Sequence, residues 1–175
     1  TRFGWDRPCA FRQVNSEKFV LSPEDAGEDQ HQPEMSDFLD RLAAYSLGIP
    51  GVAWALWRYR LGFLEMEERE TNVASCRGPT IWLQPWTALD LPGVPQRNRG
   101  RSAFVLHTLL LHNGAAAELL PELLPNMGRQ VLPVLHDLHA AGIVEQQHSV
   151  WRVTALGYPA VRAFLKDEGY LVDAL

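Results

Sequence analysis

Residues 132–157 read LPVLHDLHAAGIVEQQHSVWRVTALG, and this stretch decides the fold class of the chain. Its first part continues a helix predicted over about Arg129 to Ala141. Val131, Leu132, Leu135 and Leu138 recur there at spacings of one, three and three, which gives an inward face. Gly142 ends that helix. Ile143-Val144-Glu145 and Val150-Trp151-Arg152-Val153 are β-prone runs around a polar tip, Gln146-Gln147-His148-Ser149, suited to a hairpin. Thr154 then leads into a last helix with Val161, Phe164 and Leu165 facing in. Upstream, Ser102 is placed to N-cap a helix carrying Phe104, Val105, Leu106, Leu109, Leu110 and Leu111, which stops at His112-Asn113-Gly114. A further helix, Ala115 to Leu124, sets Leu119, Leu120, Leu123 and Leu124 on one apolar stripe, with Pro121 kinking or shortening it.

Three helices, a hairpin and a closing helix, in that order, resemble bacterial winged-helix proteins. The residues that carry the resemblance are Gly142, Val144, Trp151, Thr154, Leu156 and Gly157. It implies a winged helix-turn-helix over 101–175, a module that reads DNA or packs on a partner domain. From Arg101 onward five cations face seven anions, a net −2 with histidines neutral. DNA readers carry a basic stripe because phosphate neutralisation supplies much of their affinity. The candidate contacts are therefore few: Arg129, Gln130, His136 and His139 on the third helix, Gln146, Gln147, His148 and Arg152 on the wing, and the arginine arm described below.

The first hundred residues differ in texture. Phe19-Val20-Leu21 ends a strand, and an acidic loop without apolar periodicity follows at about 24–35. Ser36 caps a helix that buries Phe38, Leu39, Leu42, Ala43 and Tyr45. Gly48 stops it, and Pro50 opens the next helix, Gly51 to about Phe63. Trp54 and Trp57, three apart, face one neighbour. The stretch FLDRLAAYSLGIPGVAWALWRYRL, residues 38–61, resembles the small helical lid of STAND and AAA+ ATPases, and most closely the GLPLA element of the NB-ARC branch. Gly48, Ile49 and Pro50 match that element; Gly51 and Val52 do not. The resemblance implies that Gly48, Pro50 and Gly51 lie close to a nucleotide, and that a winged helix follows the lid.

The departures are as informative. No Gly-x-x-x-x-Gly-Lys-Ser/Thr motif occurs, so nothing here cradles a phosphate. An arginine that many lids carry after the joint is replaced by Gly51, and the nearest cations are Arg58 and Arg60. The chain is thus expected to hold no cofactor and no catalytic residue; ATP or ADP would bind only with a nucleotide-binding core absent from this sequence. His136 and His139 share a helix face but have no third ligand nearby, so no metal site is expected.

Glu65 to Glu70 is a charged run, and Thr80-Ile81-Trp82-Leu83 an extended segment. A Pro/Gly-rich linker spans about 91–101, and its Arg97, Arg99 and Arg101 are the densest cations of the chain. The expected organisation is a lid-like region over 1–100 and a winged helix over 101–175: mainly α with small β, an α+β protein. At 175 residues and 46% hydrophobic content the chain can build a sizeable core. A net charge of −5 gives no general attraction to nucleic acid or anionic membrane. No stretch approaches the roughly 18 apolar residues of a membrane span, and two cysteines make no disulfide framework. The expectation is a cytoplasmic protein. Its partner would be the ATPase core or another protein domain. The alternative is a free-standing winged-helix transcriptional regulator in which Arg97, Arg99, Arg101, Arg129, Gln130 and Arg152 touch DNA.

Overall fold

The computed structural model describes residues 10–14, 16–21, 35–61, 80–88 and 90–170. The chain divides into two compact units, Thr1–Leu89 and Asp90–Leu175. The division falls ahead of the 91–101 run. Among the described residues there are six α-helices and two three-stranded sheets, an α+β protein.

In the N-terminal unit β1 (Ala10–Gln13) lies between β2 (Phe19–Leu21), antiparallel to it, and β3 (Thr80–Leu83), parallel to it. Helix α1 (Phe38–Tyr45) starts where the Ser36 hydroxyl accepts from the Phe38 N–H at 3.0 Å. It buries only Phe38 and Leu42; Leu39 and Ala43, expected inside, are exposed. Two left-handed residues, Leu47 and Gly48, end the helix, with the Gly48 N–H returning to the Ala43 carbonyl at 3.1 Å. Pro50 then opens α2 (Pro50–Leu61), where its fixed φ suits a first turn and its missing N–H costs nothing. Trp54 and Trp57 differ in burial. Trp57 packs on Phe11 and Phe38, whereas Trp54 is 61% exposed. Phe63 and the charged run 65–70 lie outside the described residues, as does most of the acidic loop.

The C-terminal unit contains α3 (Arg99–Leu111), β4 (Ala115–Ala116), α4 (Leu120–Leu123), α5 (Val131–Ala140), β5 (Val144–Gln147), β6 (Val150–Val153) and α6 (Tyr158–Asp167). Its sheet has the order β4-β6-β5, antiparallel throughout. Helix α3 begins three residues ahead of the expected cap: Asn98, left-handed at φ 58°, precedes it, and Ser102 is buried inside the first turn. The helix expected over Ala115–Leu124 is instead a two-residue strand followed by a single turn. Ala115 and Ala116 pair with Trp151 and Val150, and Pro121 enters only at the start of α4. Leu120 and Leu124 are buried there while Leu119 and Leu123 are exposed.

A 3₁₀ turn, Gly128–Gln130, leads into α5. The buried stripe of α5 is Val131, Val134, Leu135 and Leu138. That is the i, i+3, i+4, i+7 row of a helix against a core, so Leu132, adjacent to Val131 and about 100° around the axis, is turned out and 51% exposed. Gly142, at φ 70°, lets the Ile143 N–H reach the Leu138 carbonyl at 2.9 Å. The hairpin is tighter than expected, because Gln146 and Gln147 pair with Trp151 and Val150. Only His148 and Ser149 form the turn, both left-handed at φ 49° and 66°. Two positive φ values in a two-residue loop match the right-handed twist of the strands, and glycine suits the second position. Ser149→Gly is therefore expected to raise stability by about 0.5–1 kcal/mol, seen as a higher urea midpoint; a lower midpoint would count against this turn.

Candidate functional site

The helix that sequence reasoning singled out as the contact element is α5. Its core side is fixed by four buried residues, so the side left to solvent is Leu132, Pro133, His136, Asp137, His139 and Ala140, all exposed. That surface has one anion and no lysine or arginine. His136 and His139 are both on this side. Both lie edge-on to Trp151, with ring centroids at 6.0 and 5.8 Å. Among the described residues no group of three or more His, Cys, Asp or Glu side chains could hold a metal ion. Trp151 itself is 3% exposed and its indole N–H has no hydrogen-bond partner.

The six residues expected to touch DNA come from the start of α3 and just ahead of it, the 3₁₀ turn before α5 and strand β6. Arg129 and Gln130 sit side by side in the 3₁₀ turn before α5, both exposed. Arg152 follows Trp151 on β6. Neighbours on a strand point to opposite faces, so with Trp151 against α5, Arg152 points to the other face of the hairpin. Its stem lies over Gly114, where a Cβ would meet the Arg152 Cγ at 2.6 Å. Across the ladder it stands opposite Glu145, an anion. Arg99 is committed to structure: its Nε donates to Glu168 at 2.7 Å, its Nη1 to Gln96, and its guanidinium lies over the Phe164 ring at 5.1 Å. It ties the start of α3 to α6. Arg97 and Arg101 are exposed.

Gly48 closes α1, and Pro50 and Gly51 open α2; all three are exposed. A Cβ at Gly48 or Gly51 would meet nothing within 4 Å. The positive φ of Gly48 is therefore the reason for glycine there, not crowding.

Arg60 is the residue that sequence reasoning underrated. It is 2% exposed. The i, i+4 row that buries Val52 and Leu56 on α2 continues to Arg60, so periodicity pointed inward while the charge pointed outward. Its Nη1 donates to the carbonyls of Gln84 (2.7 Å) and Pro85, beyond β3. The rings of Trp86 and Phe38 lie 5.2 and 5.6 Å from its guanidinium carbon. Burial lowers its pKa to about 10 against a smaller opposing pull from Tyr59, so it remains charged near neutrality. Burial also raises the Tyr45 phenol, which packs on Trp86.

No protein-family model, curated protein or solved structure matches the chain. Among the described residues no helix is long and apolar enough to cross a membrane.

Proposed function

We propose that this chain is a non-catalytic C-terminal regulatory and interaction region of an ATP-dependent switch protein, and that its C-terminal unit is a winged helix that contacts another protein domain. The observation that carries the protein-contact reading is the outward face of α5. It lacks any lysine or arginine and exposes Leu132 at 51%. In a winged helix this is the face that would enter a DNA groove, and a groove-binding face without cations forgoes the phosphate contribution to affinity. The winged-helix reading is supported by the succession α3, β4, α4, α5, β5, β6 and by the sheet order β4-β6-β5. The switch-protein reading is supported by the glycine-proline joint at Gly48–Gly51 ahead of that unit, and by the resemblance of residues 38–61 to an ATPase lid. Nucleotide would be bound by a core domain in the same parent protein.

The test is fluorescence anisotropy of labelled duplex DNA titrated with the chain at low and at moderate salt. The expected result is no saturable binding at either. Tight binding that weakens steeply with salt would overturn this reading in favour of a DNA-binding regulator. Arg129→Ala and Arg101→Ala would then locate the contact.

A further inference from the structure

The guanidinium of Arg60 has three nitrogens, and Nη1 is engaged by the carbonyls of Gln84 and Pro85. Nε and Nη2 are buried and have no hydrogen-bond partner among the described residues. These two nitrogens are not an arbitrary remainder. They form the side edge of the guanidinium, where two N–H bonds run parallel and match the two oxygens of one carboxylate or phosphate. The Phe38 and Trp86 rings attract the cation through their faces, which leaves the in-plane N–H donors of that edge unmet.

Pro85 and Trp86, both partly exposed, wall a cleft of about 440 Å³ whose other lining includes Lys18, Ser36, Asp37 and Arg41; Phe38 borders it as well but is 1% exposed. That volume lies in the range of small-molecule sites. Arg41 at the cleft already pairs with Asp37 at 2.7 Å, so its charge is committed locally. Arg60 stands one side chain behind the aromatic wall. Trp86, partly exposed on the single 3₁₀ turn Trp86–Ala88, is the part of that wall held by the shortest element.

We propose that the Nε/Nη2 edge of Arg60 is the receptor for an oxyanion, a carboxylate or a phosphate, carried on an organic ligand whose flat apolar body rests in the cleft against Pro85 and Trp86. Displacement of the Trp86 ring opens the way from cleft to guanidinium. The site depends on neither α5 nor the wing.

The experiment is a proton–nitrogen NMR titration of the whole chain, following the Arg60 Nε–H and Trp86 indole N–H signals after through-bond assignment. Phenyl phosphate and benzoate present the two acids on one ring, and sodium chloride at matched ionic strength is the control. The expected result is a saturable shift of both signals with at least one acid and none with chloride; which acid acts identifies the anion. Arg60→Lys keeps the charge and loses the edge, and is expected to weaken the Trp86 response at least tenfold. The unmodified chain decides the matter even where this variant fails to fold. The proposal is overturned if neither acid moves the signals beyond chloride. It is equally overturned if the Arg60 Nε–H is already strongly downfield and slow to exchange in anion-free buffer, because an acid of the chain itself then occupies the edge.

Discussion

Leu138→Ala is expected to destabilise the C-terminal unit by about 2–5 kcal/mol, the range for emptying a leucine-sized site in a packed core. Leu138 is fully buried on the α5 stripe with Val131, Val134 and Leu135. It belongs to a cluster that also takes Leu106 and Leu109 from α3, Trp151 from β6 and Leu165 from α6. Its backbone carbonyl holds the Ile143 N–H at the helix end, a bond alanine would keep. The loss therefore reports side-chain packing alone. The matched control is Leu132→Ala, on a side chain 51% exposed, expected to change stability by no more than about 0.5 kcal/mol. Urea unfolding followed by amide exchange of α3 and α5 measures both. If the two substitutions cost the same, α5 is rotated about its axis from the orientation described. Its outward face would then no longer be the one that presents Leu132 to solvent, part of the observation on which the protein-contact proposal rests.

That comparison also marks how far the sequence could be read. The helix over 131–140 was legible from leucine and valine periodicity. Its inward face is Val131, Leu135 and Leu138 as the spacing indicates, with Val134 in place of Leu132, because spacings of one, three and three mix two rows of the helix surface. The hairpin was legible from Val144, Val150, Trp151 and Val153, whereas its tip was read too long: Gln146 and Gln147 carry no apolar signal, and ladder pairing alone makes them strand. Ala115 and Ala116 have no β preference and are a strand only because the β6 edge offers them partners, so tertiary context overrides propensity there. Strand β1 is held by pairing on both sides, with β2 and with β3, the second some seventy residues away in sequence, and neither partner is visible from Ala10–Gln13. The glycine-proline joint was fully legible, since a left-handed stop and a fixed φ at a helix start are local requirements. Arg60 was the costliest miss. Charge suggested solvent, while Val52 and Leu56 at four-residue steps placed it in the interior.

Gly157→Ala should cost about 3 kcal/mol, toward the upper end for overpacking, although the residue has an ordinary negative φ of −79°. The constraint is space. A Cβ at Gly157 would stand 2.8 Å from the Thr154 Oγ1 and 3.0 Å from both the Cα and the carbonyl oxygen of Ile143. These are the atoms that join the hairpin to α6. The Thr154 hydroxyl donates to the Gly142 carbonyl at 2.8 Å and accepts the Gly157 N–H at 2.9 Å, while the Thr154 N–H reaches the Ile143 carbonyl at 2.9 Å. Two of the three obstacles are backbone, so removing the hydroxyl as well, in Thr154→Ala/Gly157→Ala, is not expected to restore stability. Gly169→Ala separates space from conformation. Its φ is +77° and nothing lies within 4 Å of the Cβ position, so it should lose only the left-handed penalty of about 1–2 kcal/mol. Urea midpoints of the three variants rank the effects. A Gly157→Ala loss smaller than that of Gly169→Ala would mean that the turn after β6 can open to admit a methyl group. The hairpin and α6 would then be less tightly coupled than their hydrogen bonds imply, and the end of α5 that carries His139 and Ala140 would not be held by the return of the chain.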